Sequence, residues 1–140
     1  SVPQNLVPFI TQSAAGLRGP LKVFGNDYPT RDGTCVRDYI HVEDLCRAHL
    51  AAAERVLAGK TTGFEVFNLG NARGVSILEL IAAVRSVTGA DIVHRVLPRR
   101  PGDPPTLIGS SQRALELLGW APEITDIHEI LRTAWATMVR

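Results

Sequence analysis

The chain has 140 residues, enough for one domain with a buried core, and its 45% hydrophobic and 21% charged residues are typical of a soluble globular protein. The formal net charge is +1, so no global field recruits nucleic acid or an anionic membrane, and an anionic ligand must be held by local groups. The apolar runs are too short to span a bilayer, and no secretory signal pattern is present. We therefore expect neither nucleic acid nor a membrane as a partner.

The first half of the chain alternates helices and strands. Apolar spacing and turn residues predict, in order, helix Leu6–Leu17, strand Leu21–Phe24, loop Asp27–Thr34, strand Val36–Val42, helix Glu43–Leu57 and strand Phe64–Leu69. A helix followed directly by a strand of the buried kind is half of a βαβ unit. Such a strand needs parallel neighbours, and too few strands precede it to supply them. We therefore expect this helix and this strand to belong to a sheet whose bulk lies outside the chain.

The second half continues the alternation. Ser76 and Glu79 form a capping box that begins a helix, and Gly89 ends it. The remaining predicted elements are strand Ile92–Leu97, loop Pro98–Pro105, helix Arg113–Leu118 and a last helix that starts near Thr125. The sequence thus predicts an α/β fold. Because the chain opens at Ser1 without an initiator Met, we expect it to be part of a longer polypeptide.

Arg37 is the first candidate for a binding residue, because it is an arginine in a strand-like run of a nearly neutral chain. Its guanidinium presents a planar fork of donors that suits a phosphate. The alternative is an ion pair of Arg37 with a nearby carboxylate, that of Asp38, Glu43 or Asp44. Both interpretations stay open at this point.

The loop Pro98–Pro105 contains two further candidates, Arg100 and Asp103. Its prolines stiffen the backbone and Gly102 permits a tight bend, so a charged fork there loses less entropy on binding than one on a flexible loop. Asp103 can accept hydroxyl hydrogens from a sugar, and an arginine beside a carboxylate suits a ligand that carries both a phosphate and a diol. The alternative is that Arg99 and Arg100 are a solvated surface pair.

Two weaker candidates lie nearer the amino terminus. Asn5 and Leu6 begin the first helix, where free backbone N–H groups suit an anion, although a plain N-cap also accounts for Asn5. The run Lys22-Val23-Phe24 can present backbone groups and a ring to a base, or it can be an edge strand with a buried phenylalanine.

No metal site is predicted. Cys35 and Cys46 have no C-x-x-C pattern, and the histidines show no H-x-x-x-H spacing. We expect two reduced, core-type thiols in a cytoplasmic protein. His41, which stands beside Glu43, is interpreted as a structural histidine.

The segment from Lys22 to Leu45, with its long loop from Asn26 to Thr34, closely resembles the UDP-glucose 4-epimerases, which are extended short-chain dehydrogenase/reductases. The resemblance continues through four further motifs, Asn5-Leu6-Val7-Pro8, Asn68-Leu69-Gly70, Arg99-Arg100-Pro101-Gly102-Asp103 and Leu118-Gly119-Trp120. Related nucleotide-sugar dehydratases and decarboxylases usually have a shorter connection between the two strands, so the loop favours the epimerase branch. The whole chain, 1–140, thus resembles the carboxy-terminal UDP-sugar-binding part of such an enzyme, with helix 43–57 and strand 64–69 belonging to the dinucleotide-binding Rossmann sheet.

The resemblance implies a substrate-binding role for nine residues. Asn5, Leu6, Arg37 and Arg100 would contact the diphosphate, Lys22, Val23 and Phe24 would frame the uracil largely through backbone groups, and Asp103 would bind the ribose hydroxyls. Leu107 falls where some members carry a tyrosine that crowds the sugar pocket, and leucine there keeps both plain and N-acetylated hexoses as candidates.

The resemblance also implies an activity. The family interconverts UDP-glucose and UDP-galactose through a 4-keto intermediate, with bound NAD taking hydride from sugar C4 and a tyrosine acting as base. The glycine-rich NAD loop and the Tyr-x-x-x-Lys pair have no counterpart in this sequence, so we expect the catalytic and NAD-binding residues elsewhere in the complete enzyme, a cytoplasmic homodimer. Two alternatives stay open: another nucleotide-sugar epimerase, dehydratase or decarboxylase, and a non-catalytic nucleotide-sugar-binding remnant.

Overall fold

A computed structural model describes residues 5–61 and 63–138 of the chain. Its elements are α1 (Leu6–Ala14), β1 (Leu21–Phe24), β2 (Val36–Asp38), α2 (Val42–Leu57), β3 (Gly74–Ser76), α3 (Ile77–Thr88), β4 (His94–Leu97), β5 (Thr106–Leu107), α4 (Gln112–Leu118) and α5 (Ile127–Met138). They divide into two compact units. The first contains the residues up to Arg37, Val75–Leu107 and those from Asp126 on, and the second contains Asp38–Gly74 and Ile108–Thr125.

The first unit is built on three helices and short parallel strand pairs. β1 pairs in parallel with β4, with Leu21 opposite His94 and Phe24 opposite Leu97. β2 pairs in parallel with β5, and β2 is the middle strand of the order β3-β2-β5. Helices α1, α3 and α5 pack on one another, and α1 also packs on β1. Their apolar faces enclose a core that includes the fully buried side chains of Ile10, Val23, Leu80, Val84 and Leu131.

The start of α3 anchors the long loop that precedes β2. The predicted capping box is confirmed, because the Ser76 hydroxyl accepts from the Glu79 N–H and the Glu79 carboxylate accepts from the Ser76 N–H. The Asp32 carboxylate accepts from the same Ser76 hydroxyl and, at 2.9 Å, from the backbone N–H of Thr34. Arg31 forms a two-pronged ion pair with Glu79. These contacts fix the end of the loop only a few residues before the strand that carries Arg37.

The second unit has a smaller core of its own. Ala48 of α2, Ala114 of α4 and Trp120 form its buried centre, with Phe67, Leu69 and Leu118 packed around them. The Trp120 indole N–H donates to the Asp44 carbonyl at 2.9 Å. The buried Asp44 carboxylate accepts from the backbone N–H groups of Glu123 and Ile124, so it satisfies a turn that would otherwise leave donors unpaired.

The predicted strand Phe64–Leu69 is wrong for this chain, since these residues have no regular secondary structure. Their burial nevertheless alternates with a period of two. Phe67 and Leu69 pack on the core, whereas Phe64 and Val66 remain 91% and 57% exposed. Alternation is the signature of a strand, and a strand forms only against a partner. Among the described residues this segment has none, as expected for a strand that lacks its parallel neighbours.

The apolar face that predicted α2 is exposed instead of packed. Leu45, Val56 and Leu57 lie on it, Leu57 is 87% exposed, and the exposed Leu50 lies beside this face. The buried face of the helix carries Asp44 and Ala48. Cys46 lies on the exposed face, so the prediction of two core-type thiols holds for the buried Cys35 and is wrong for Cys46. An exposed apolar face of this length is a surface that another structure is expected to cover.

Several predicted boundaries shift for identifiable reasons. α1 ends at Ala14 and not at Leu17, because Gly16 adopts a left-handed conformation (φ 72°) and the Leu17 N–H closes on the Gln12 carbonyl at 2.9 Å. β2 ends at Asp38, short of the predicted Val42, and the two-residue β5 was not predicted. Within 5–61 and 63–138, no helix has the length and apolarity needed to cross a membrane.

Candidate functional site

Arg37, Asp103 and Arg100 form one ion-paired cluster in the first unit. The Arg37 Nη2 donates to Asp103 Oδ1 at 2.8 Å. The Arg100 Nε and Nη2 donate to the other carboxylate oxygen, Oδ2, at 3.1 and 2.9 Å. Two residues predicted from separate parts of the sequence thus meet on one carboxylate, which carries one negative charge against two positive ones.

Backbone contacts hold this cluster in place. Both hydrogens of Arg37 Nη1 are used, one on the Val36 carbonyl at 2.8 Å and one on the Pro104 carbonyl at 3.0 Å. The loop turns at Gly102, which has a φ of 79°, and the Asp103 N–H closes the turn on the Arg100 carbonyl at 3.3 Å. The Arg37 guanidinium is therefore fixed in orientation before any ligand arrives.

Both guanidinium groups keep unused donors. Each has five N–H groups. Among the described residues, Arg37 has no partner for Nε–H and one Nη2–H, and Arg100 has none for its two Nη1–H groups and one Nη2–H. Adjacent Nε–H and Nη2–H form the fork that binds a carboxylate or phosphate with two parallel hydrogen bonds. The cluster can therefore bind an anion that carries several oxygens.

The Asp103 carboxylate is held in its charged form. Burial raises its pKa, but hydrogen bonds and charge from Arg100 and Arg37 outweigh that effect, so the pKa of Asp103 lies below its ordinary value. Its side chain is 18% exposed. Among the described residues Oδ1 accepts one hydrogen bond, that from Arg37 Nη2, so one lone pair remains for a further donor such as a hydroxyl.

Phe24 and β1 lie beside this cluster. The Arg100 guanidinium stacks over the Phe24 ring, 4.6 Å from its centre. The Leu21 and Gly25 N–H groups donate to β4, so in a parallel ladder the backbone N–H and C=O of Lys22 and Phe24 project from the opposite edge. That edge has no partner strand in the part of the chain that the structure describes. Val23 has a buried side chain, and by the same alternation its backbone N–H and C=O face β4.

The other predicted site residues are placed as follows. Leu107 is opposite Arg37 in the β2–β5 register, so both side chains lie on the same face of the sheet, and Leu107 is 59% exposed. Asn5 is the exposed N-cap of α1 and makes no side-chain cap, and half-buried Leu6 follows it. No hydrogen bond or ion pair within residues 5–61 and 63–138 joins Asn5 or Leu6 to the arginine cluster.

Arg37 does not form the ion pair with Asp38, Glu43 or Asp44 that the sequence left open. The partner of Arg37 is Asp103, and the Asp38 carboxylate instead accepts from the backbone N–H groups of Asn71 and Gly109 at 3.2 and 3.1 Å. The sequence analysis did not predict this role of Asp38. The structure shows why glycine occupies position 70: a Cβ there would lie 2.4 Å from the Asp38 carboxylate.

Arg99, too, has partners within the chain. Its guanidinium lies 4.2 Å from the centre of the Tyr28 ring, and its Nε donates to the Asp27 carboxylate at 2.7 Å. Both arginines are exposed to solvent, as the alternative expects, but each also stacks on an aromatic ring and pairs with an aspartate.

The starts of α2 and α3 do not fit the pyrophosphate of a dinucleotide. Such a group binds at a helix N-terminus directly after a strand. At the start of α2, the His41 ring nitrogen already accepts from the Glu43 N–H at 3.2 Å, and two carboxylates in the first turn repel an anion. The start of α3 is closed by its capping box. No cluster of three or more metal-ligating side chains occurs in the described part of the chain.

Comparisons with known proteins give the family. The family model described as GDP-mannose 4,6 dehydratase matches residues 1–134. The UDP-glucose 4-epimerase of Lacticaseibacillus casei is 50% identical over 131 residues, which are 94% of this chain and 39% of that protein.

The chain is also similar to solved structures of UDP-glucose 4-epimerases. The UDP-glucose 4-epimerase of Stenotrophomonas maltophila with bound NAD and formylated UDP-arabinopyranose has a TM-score of 0.88 and 42% identity, covering 97% of this chain and 40% of that one. The enzyme of Bifidobacterium longum in complex with NAD+ and UDP has a TM-score of 0.87 and 36% identity, covering 99% and 41%. The chain therefore spans about two fifths of the length of these relatives. The predicted resemblance is confirmed: the chain belongs to the GDP-mannose 4,6 dehydratase family, and its relatives there are UDP-glucose 4-epimerases, whose cofactor is NAD.

Proposed function

We propose that this chain is the carboxy-terminal, UDP-binding part of a UDP-glucose 4-epimerase that interconverts UDP-glucose and UDP-galactose. The observation that carries the proposal is the convergence of Arg37 and Arg100 on Asp103 with guanidinium donors left over. The cluster has a net charge of +1 when all three groups are ionised, and its donors are held in a fixed orientation by backbone carbonyls. A preoriented cationic fork is what a diphosphate needs, because little side-chain entropy is lost on binding.

The rest of the nucleotide fits the surroundings of the cluster. The unpaired edge of β1 offers the backbone N–H and C=O of Lys22 and Phe24 to the polar edge of uracil, and the buried Val23 between them spaces these groups along the strand. The free lone pair of Asp103 Oδ1 is the acceptor for a ribose hydroxyl. Asn5 and Leu6 supply the uncapped N-terminus of α1, which has no acidic residue in its first turn, as a further anion contact.

Leu107 is the residue we assign to the hexose end of the substrate. Its side chain shares a face with the diphosphate-binding Arg37 and is exposed. Leucine is apolar and of moderate size, so it packs on a sugar ring without donating a hydrogen bond to it.

The hydride chemistry belongs to another part of the complete enzyme. NAD, if bound there, would supply hydride transfer at sugar C4. This sequence has no Tyr-x-x-x-Lys pair and no glycine-rich loop, and the starts of α2 and α3 do not fit a pyrophosphate. The role we assign to this chain is to bind the UDP moiety and thereby to orient the hexose.

The exposed apolar face of α2, with Leu45, Val56 and Leu57, and the unpaired segment 64–69 support the same division. We propose that both pack on the dinucleotide-binding sheet formed by the rest of the polypeptide. That the complete enzyme is a cytoplasmic homodimer stays a prediction.

A coupled assay on the complete polypeptide tests this function. We expect it to convert UDP-galactose to UDP-glucose with NAD bound, whereas the 140-residue chain alone neither turns over the substrate nor binds NAD. Turnover of a different nucleotide sugar with none of UDP-galactose would favour another enzyme of the family. A complete polypeptide that binds UDP without any turnover would favour the non-catalytic alternative.

A further inference from the structure

Arg99, the residue before the ligand-binding Arg100, is clamped from two sides. Its guanidinium stacks 4.2 Å from the centre of the Tyr28 ring. Its Nε donates to the Asp27 carboxylate at 2.7 Å, and its Nη2 donates to the Asp27 carbonyl. Consecutive arginines thus stack on different rings, since Arg100 lies over Phe24. The loop that carries Arg100 and Asp103 is therefore tied to the segment that follows β1.

The backbone at Gly25 leaves room for the Tyr28 and Arg99 side chains. Gly25 has a φ of 85°, and its N–H donates to the Leu97 carbonyl at 2.8 Å. A Cβ at this position would lie 2.6 Å from Tyr28 Cε2 and 2.8 Å from Arg99 Cγ. Both side chains therefore pack directly on the glycine backbone, and any other residue would push them apart.

Tyr28 contributes its ring and not its hydroxyl. The residue is only 5% exposed, and its hydroxyl has no hydrogen-bond partner among residues 5–61 and 63–138. Burial first, and then the neighbouring Cys35 thiol, raise the pKa of this phenol, so it stays neutral. A buried hydroxyl without a good partner does not stabilise the fold, which leaves the stacked ring as the useful part of the side chain.

We propose that Arg99 and Tyr28 are positioning residues for UDP binding: their stack fixes the loop so that Arg100 and Asp103 stay aligned with Arg37. This inference rests on the proposed function, because it assumes that Arg37 and Arg100 hold the diphosphate. Neither Arg99 nor Tyr28 touches the ligand in this account. Without the stack, the loop samples other conformations, and the aligned one must be selected at a cost in binding free energy.

The test is calorimetry with UDP on the complete enzyme. Arg99→Ala is expected to weaken UDP binding about twofold to fivefold, the range that corresponds to a cation–π contact at an exposed site. Tyr28→Leu should give a similar loss, whereas Tyr28→Phe keeps the ring and should bind UDP as the wild type does. The matched control is Arg85→Ala, which removes another exposed arginine with an ion pair, that to Asp91.

A double-mutant cycle separates positioning from a general structural effect. If Arg99 acts through Arg100, then Arg99→Ala should cost less than about twofold in an Arg100→Ala background. An equal loss in both backgrounds would overturn the inference, as would an Arg99→Ala affinity equal to that of Arg85→Ala. If Arg100→Ala itself leaves UDP binding unchanged, the proposed function fails first, and the positioning role fails with it.

Discussion

Replacing Arg37 with alanine should weaken UDP binding by about 1.5–3 kcal/mol, a factor of about 10 to 150 in Kd. The magnitude follows from the two donors, Nε–H and one Nη2–H, that remain for a phosphate once the other three are used within the chain. Hydrogen bonds to charged groups have this net value, and the loss also removes one of the two charges that compensate Asp103. The measurement is calorimetry of the complete enzyme, with Arg85→Ala as the control.

Uridine makes this prediction sharper, because it lacks the diphosphate. Arg37→Ala should leave the affinity for uridine nearly unchanged while the affinity for UDP falls. The UDP affinity of Arg37→Lys should lie between those of the wild type and Arg37→Ala, since lysine keeps the charge but has no planar fork. Equal losses for UDP and uridine, or no loss for UDP, would refute the assignment of Arg37 to the diphosphate.

Three further outcomes are expected. Asp103→Ala should weaken UDP binding less than either arginine substitution, because it loses neutral hydroxyl partners and also removes a negative charge near the diphosphate; a larger loss in calorimetry would contradict this. Because the pKa of Asp103 is lowered from 3.8, its ion pairs stabilise the fold above that pH. The difference in unfolding free energy between the wild type and Asp103→Asn should therefore shrink as the pH falls below 3.8, and a constant difference would argue against the ion pairs. The isolated chain should self-associate in light scattering, and Leu50→Lys with Leu57→Lys should reduce this association, whereas Leu17→Lys at a comparably exposed position should not. A monomeric chain with a cooperative melt would show that it folds autonomously.

Local signals in the sequence predicted local structure well. The Ser76–Glu79 capping box was predicted because both partners lie within one helical turn, and the structure contains it. The helix at 42–57 was predicted from its apolar spacing. The same spacing could not say which face would be covered, because that depends on residues outside the chain. The segment 64–69 shows the same limit, since its alternation marks a strand but its partner is not encoded nearby.

The arginine–aspartate cluster was predictable in its members and not in its connections. The fork of Arg37 and the stiff loop of Arg100 were chosen by residue type and local backbone. Their meeting on Asp103 joins residues 66 positions apart, and such a pairing follows from tertiary structure alone. For the same reason Asp38, the nearest carboxylate in sequence, was one of three candidate ion-pair partners of Arg37, whereas its two oxygens accept from backbone N–H groups of distant loops.

A crystal structure of the complete enzyme with UDP is the most direct test of whether Arg37 and Arg100 hold the diphosphate. We expect diphosphate oxygens within hydrogen-bond distance of Arg37 Nε and Nη2 and of Arg100 Nη1, with both guanidinium groups still paired to Asp103. A diphosphate bound elsewhere, with no oxygen near either arginine, would show that the two arginines have another role.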